Sequence, residues 1–146
     1  MMKKFYLIVL VLLTQISCSI NQYREISDSH RQRHGKWIEK DSVENAEYVM
    51  KGKYKMGEKT GVWKTYLNEK LYQKDKIKDS ITITKVYFPN GNIMGKGQSK
   101  LIVKDHLRHW FYYGNWEYYD KNGKLEYIKK YQDNNKVDSI SGSRAK

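Results

Sequence analysis

A glycine, one intervening residue and a tryptophan recur three times in this chain: Gly35-Lys36-Trp37, Gly61-Val62-Trp63 and Gly114-Asn115-Trp116. In the second and third copies a tyrosine follows three positions after the tryptophan, at Tyr66 and Tyr119. Turn signals fall between them at Met56-Gly57-Glu58-Lys59, Pro89-Asn90-Gly91-Asn92 and Lys121-Asn122-Gly123-Lys124. Asn-Gly predicts a tight hairpin, because a type I′ turn needs two residues that tolerate positive φ. The flanks alternate as strands do. Tyr48, Met50, Tyr54 and Met56 share one face while Lys51, Lys53 and Lys55 share the other, and Gly52 leaves room for a bulky neighbour across the strand. Ile81 to Phe88 is rich in β-branched and aromatic residues, and Leu125-Glu126-Tyr127-Ile128 leaves the later Asn-Gly turn in the same manner. The expected fold is therefore mainly β: an antiparallel meander of short hairpins over residues 35–132. Aromatic side chains should stack between successive units, since one hairpin buries too little surface to stand alone.

The amino terminus carries an address. Lys3 and Lys4 precede an apolar run from Phe5 to Leu13, and Thr14-Gln15-Ile16-Ser17-Cys18 follows, the order of parts in an export signal. At about 1.5 Å per residue, nine apolar residues cover less than half of a hydrocarbon core roughly 30 Å thick, which disfavours a permanent span. A lone cysteine in 146 residues excludes an internal disulfide framework and any zinc knuckle built on cysteine pairs. Residues 1–17 are expected to be a signal peptide, 18–34 a polar tether, 35–132 the β domain and 133–146 a polar tail. Sixteen flexible residues span about 20–25 Å, enough to hold a small domain clear of a bilayer.

Two resemblances sharpen these readings. Leu13 to Cys18 resembles the lipobox of bacterial lipoproteins, with Ser17 just before the cysteine and Ile16 before that. That likeness implies alkylation of the Cys18 thiol by diacylglycerol, removal of the preceding peptide, and a membrane partner reached through the lipid. Each buried methylene contributes about 0.8 kcal/mol, so two or three chains make anchoring nearly irreversible. Ser19 after the cysteine favours an outer-membrane destination where the cell has one; the implied location is the cell membrane or outer membrane, on the exported side. Tyr54 to Tyr66 resembles the bacterial variant of the MORN repeat (membrane occupation and recognition nexus), and Phe88 to Met94 and Trp116 to Leu125 resemble second halves of such a unit. Asn68-Glu69-Lys70 departs from that pattern in lacking a turn glycine, and Leu101 to Tyr113 fits no repeat. This second likeness implies a ladder of hairpins that contacts proteins or membranes, and some bacterial members are described as antitoxins.

No chemistry of its own is evident in the sequence. His30 with His34 and His106 with His109 lack a third ligand for a metal, and neighbouring cations oppose another positive ion. Asp120-Lys121-Asn122-Gly123 lacks the later carboxylates of a calcium loop. No catalytic residue, metal or cofactor is assigned. The net charge of +12 and the run of aromatics from Trp110 to Tyr119 suit phosphates and bases in principle. An exported protein meets anionic lipid or polysaccharide instead, so nucleic acid is not expected as a partner. Lysine-rich strand faces also serve solubility and block edge pairing. The aromatics Trp37, Trp63, Tyr66, Trp110, Trp116 and Tyr119 are expected as core or contact residues. The functional expectation is an envelope lipoprotein with a noncatalytic binding or structural module. An antitoxin or immunity protein that masks a toxin is the alternative, and a glycan-acting enzyme, which would require paired carboxylates at a cleft, is a further one.

Overall fold

The computed structural model describes residues 19–28, 30–132 and 137–142. Residues 1–17 and Cys18, which carry the export and lipidation readings, lie outside the described residues. The described chain is all β, with ten strands: β1 (Gln22–Ser27), β2 (His30–Val43), β3 (Ala46–Lys55), β4 (Glu58–Leu67), β5 (Lys70–Lys78), β6 (Ile81–Tyr87), β7 (Ile93–Lys104), β8 (Leu107–Tyr119), β9 (Leu125–Tyr131) and β10 (Val137–Gly142). They pair in sequence order, each antiparallel to the next, as the meander predicted from the hairpin signals requires.

The sheet begins and ends beyond the expected limits. Part of the stretch assigned as tether forms β1 and the start of β2, paired from Gln22↔His34 to Ser27↔His30, and part of the tail forms β10 against β9. Every residue of β1 is exposed, so apart from the Tyr23 ring, which meets Trp37, this strand is held by its backbone and leaves little alternation of polarity for a sequence pattern to show.

The turns follow three chemistries: Glu44-Asn45 and Asp79-Ser80 take positive φ at the first position only (54° and 53°), the type II′ pattern, and two other kinds occur beside them. Met56-Gly57, Asn68-Glu69 and Asp105-His106 are two-residue loops with positive φ at both positions (50° and 79°, 46° and 67°, 51° and 63°), the type I′ requirement. Glu69 stands where the first of these turns has its glycine, and Asn68 before it secures the turn. The Asn68 side-chain oxygen accepts from the Glu47 N–H at 2.9 Å, while the Asn68 N–H donates to the Glu47 carbonyl at 2.9 Å. The two Asn-Gly pairs are not type I′ turns. In each, the glycine takes positive φ (Gly91 89°, Gly123 85°) within a five-residue loop, closed by Phe88 N–H on Asn92 O at 2.8 Å and by Asp120 N–H on Lys124 O at 2.9 Å. Met56, expected beside Tyr54 on the dry face, sits in the turn and is 60% exposed.

A single sheet has no second layer to bury against, so its interior is made by flat rings lying along the strands. The most buried apolar side chains are Trp37, Tyr54, Trp63, Phe111 and Trp116. Tyr23, Trp37, Tyr54 and Trp63 form an edge-to-face ladder across β1 to β4, with centroids 5.2, 5.5 and 5.2 Å apart. Each such contact contributes about 0.5–1.5 kcal/mol beyond area burial. Met50 and Ile77 pack against its end.

Candidate functional site: a groove opposite a lysine row

The second and third Gly-x-Trp copies are bulges that each lay an indole on a neighbouring glycine. Gly35, Gly61 and Gly114 all have positive φ, at 76°, 69° and 66°. Where Gly61 and Gly114 occur, the register shifts opposite Lys51/Lys53 and Lys96/Gln98. The indole then covers the partner glycine so closely that a Cβ on Gly52 would stand 2.2 Å from Trp63, and one on Gly97 would stand 2.2 Å from Trp116. Each ring N–H donates to a carbonyl just past that glycine, Trp63 to Lys53 at 3.1 Å and Trp116 to Gln98 at 2.8 Å. Trp37 donates to Gln22 and His34 carbonyls in the same way. The tyrosine three positions on points to the opposite face, because an odd offset reverses direction along a strand. There Lys51 Nζ lies 5.3 Å from the Tyr66 ring and Lys96 Nζ 5.2 Å from the Tyr119 ring.

That opposite face is basic. Lys51, Lys64, Lys74, Lys85 and Lys96 are directly paired in turn across β3 to β7. Neighbouring strands lie about 4.8 Å apart, so five like charges share one row. Like charges directly opposite are destabilising, by a few tenths of a kcal/mol to about 1 kcal/mol. The row ends on a carboxylate: Lys96 lies 3.1 Å from Glu117, which also accepts from the Tyr119 hydroxyl. Hydrogen bonding with Tyr119 and then with Lys96 holds Glu117 below the usual carboxylate pKa, and Lys96, bonded to Tyr119 and then to Glu117, is held above the usual amine value.

The first face is concave and divides in two. Above the Trp37–Tyr54–Trp63 ladder, Glu39 gathers charge. Arg33 Nη1 donates to it at 2.6 Å, Tyr54 Oη at 2.8 Å and Lys59 Nζ at 2.8 Å. Burial works against its ionisation, yet the hydrogen bonds and the charges of Lys59 and Arg33 outweigh it and hold the Glu39 pKa below its ordinary value. Beyond β4 the face opens into a groove of about 880 Å³. Its floor continues the Trp63 row through Asp75 and Thr84 to Gly97. Asp75 accepts from Thr84 Oγ1 at 2.7 Å and from Gln73 Nε2 at 2.8 Å. Thr82 also lines the groove, is 7% exposed, and its hydroxyl oxygen has no hydrogen-bond partner. The wall is aromatic. Trp110 and Tyr112 stand 47% and 44% exposed, backed by Trp116, Tyr118 and Tyr131. Tyr112 meets Trp116 at 4.5 Å and Tyr131 at 5.2 Å. Burial, then the hydrogen bond with Tyr131, raises the Tyr118 pKa, so its hydroxyl stays protonated.

The groove wall reaches forward because Arg108, near the β7–β8 tip, donates twice to Glu58 at 2.5 and 2.7 Å, closing the concave face from β8 to β4. That contact holds Glu58 below the usual carboxylate pKa.

The structure brings Trp110 and Trp116 to the groove, places Trp37 and Trp63 in the ladder, and puts Tyr66 and Tyr119 on the lysine face. The histidines remain apart: His30 and His34 on β2, His106 in a turn and His109 on β8. Among the described residues no group of three or more His, Cys, Asp and Glu converges. Sequence reasoning missed Asp75, Gln73, Thr82 and Thr84. A signal exists in Lys74-Asp75-Lys76-Ile77-Lys78, where three outward lysines leave Asp75 and Ile77 as the inward residues. No family model, curated protein or solved structure matches the chain.

Proposed function

We propose that this chain is a cell-envelope lipoprotein, held at the cell membrane or outer membrane on the exported side by acyl chains on Cys18. In this reading its β-repeat sheet serves as a noncatalytic binding module. One observation carries the binding reading: the sheet segregates a lysine row from an open groove lined by exposed aromatics and hydrogen-bonding groups. Trp110 and Tyr112 stand half-exposed on the groove wall, where a ligand can reach them. The lysine row supports a second attachment to anionic head groups, since each such charge near a membrane surface contributes about 1 kcal/mol. The recurrence of the Gly-x-Trp bulge with paired glycines supports the MORN-like description.

Metabolic labelling with a palmitate analogue tests the anchor. Wild type should label and sediment with membranes while Cys18→Ser should do neither; equal labelling of the two refutes it. A second reading is favoured by the β7–β8 tip, where Val103 and Leu107 are 62% and 67% exposed beside Trp110. An antitoxin or immunity protein would use that apolar tip to mask a toxin. Co-purification of a dedicated partner at equal stoichiometry, lost in Leu107→Asp, would establish it in place of a general envelope module.

A further inference from the structure

We infer that the groove between β5 and β9 binds a neutral glycan chain, with its sugar rings laid on Trp110 and Tyr112 and its hydroxyls donated to Asp75. This rests on the reading of the chain as an envelope binding module and names the ligand class of that module.

Charge selects the ligand first. The chain has 28 lysines and arginines, yet among the described residues none lines this groove, and the one ionisable acid there is Asp75. An anionic ligand would face a carboxylate with no cation to offset it, so nucleic acid and acidic polysaccharide are disfavoured. A wholly apolar ligand is disfavoured for a different reason. Ionised carboxylate oxygens offer about four acceptor sites, and Thr84 and Gln73 occupy two of them. Covering the rest with hydrocarbon would leave acceptors dry, at a cost of about 1–3 kcal/mol or more.

A peptide is disfavoured by topology. Peptides that lie on sheets gain their affinity by pairing with an exposed strand edge, whereas β5, β6 and β7 on the floor are each paired on both sides. A sugar needs no main-chain partner. Its hydroxyl edge supplies donors to Asp75, and its C–H face is flat and apolar enough to cover an aromatic ring. Trp110 and Tyr112, two residues apart on β8, therefore stand on one side of that strand and offer consecutive platforms. The polarity of β6 accords with this use. Thr82 and Thr84 face the groove at 7% and 8% exposure, while Ile83 between them is turned outward and 48% exposed. That arrangement is the reverse of what solvent partitioning favours, and it gives the floor hydrogen-bonding groups. The groove volume falls within the range of about 300–1,000 Å³ found for ligand sites.

The test uses the full chain in a zwitterionic, sugar-free detergent, titrated with hexa-N-acetylchitohexaose, cellohexaose and xylohexaose and followed by calorimetry and tryptophan fluorescence. At least one neutral hexasaccharide should bind saturably with a fluorescence change, and a heparin-derived hexasaccharide should not compete. Asp75→Asn, which keeps shape and removes charge, and Trp110→Ala should each weaken binding about tenfold or more. Lys74→Ala on the opposite face should leave it unchanged. No binding by any of the three sugars at millimolar concentration would overturn the inference, as would affinity indifferent to both groove variants or equal binding of the anionic sugar. These outcomes are separable from the anchor. A labelled, membrane-bound chain that captures a protein partner but no sugar keeps the module and discards the glycan; an unlabelled chain that binds sugar does the reverse.

Discussion

The hairpins β3–β4 and β7–β8 carry one pattern at two lengths. Each begins its bulge at Lys-Gly, lays a tryptophan over that glycine, and sends a tyrosine through to meet the lysine on the other face. They differ in that the chain from Gly97 to Trp116 is eight residues longer than the chain from Gly52 to Trp63. The shorter hairpin turns at Met56-Gly57 and gives its aromatics to the interior, where Tyr54 and Trp63 are 7% and 3% exposed. The longer one overshoots the sheet, ties its tip to Glu58 through Arg108, and holds Trp110 and Tyr112 up as a wall. The added length turns a packing unit into one side of the groove.

The comparison is broken most severely by removing the shared ring. Trp63→Ala and Trp116→Ala should each cost about 3–5 kcal/mol in denaturant unfolding, and unchanged midpoints in both would show that the indoles are not the interior. Next come the glycines beneath them. Gly52→Ala and Gly97→Ala should each destabilise by about 1–3 kcal/mol, since the new methyl overlaps the indole. Combining Gly52→Ala with Trp63→Leu should cost less than the two changes added, and strict additivity in that cycle would deny the contact.

Acid response should separate the two hairpins more gently, the shorter one through Glu39 of β2, which accepts from its Tyr54 and Lys59, and the longer one through its own Glu117. Glu39 and Glu117 both have folded pKa values below the ordinary one. Their stabilisation is complete above the unfolded value of about 4.3 and is lost as pH falls through the folded value. Glu39→Gln should therefore flatten the acid limb of a melting-temperature profile. Glu117→Gln should do so less, because its side chain is 33% exposed against 18% for Glu39. Equal profiles for wild type and Glu39→Gln below about pH 4.3 would contradict the shift. The smallest effect belongs to the exposed tie. Arg108→Ala should leave the global unfolding midpoint in place while the amides of residues 102–108 exchange faster, and unaltered exchange would show that the tip is held by packing.

The meander was legible because strand alternation and turn residues are local signals. Gly52 as a seat for a bulky neighbour was legible too, since a lone glycine in a strand commonly marks a close approach. Strand β1 was not, because with every residue exposed little in its composition reports pairing. The Asn-Gly turns were misread in type. Asp120 Oδ1 accepts from the Asn122 and Lys124 N–H groups at 2.9 and 2.8 Å, which settles a longer loop with positive φ at the glycine. The floor of the groove was hidden for a subtler reason. On β6 the threonines face in and Ile83 faces out, so hydropathy points the wrong way.

What the sequence by itself determines is the local grammar: short strands, hairpin order, and the spacing that sends Trp63 and Tyr66, or Trp116 and Tyr119, to opposite faces. Those follow from a two-residue period that the chain cannot escape. Only the tertiary structure decides that five lysines from five strands fall into one row, and that Asp75, Thr84 and Trp110 meet across one groove. Register between strands depends on bulges and loop lengths accumulated across the whole sheet, and residues far apart in the chain become neighbours only after each of those shifts has been set.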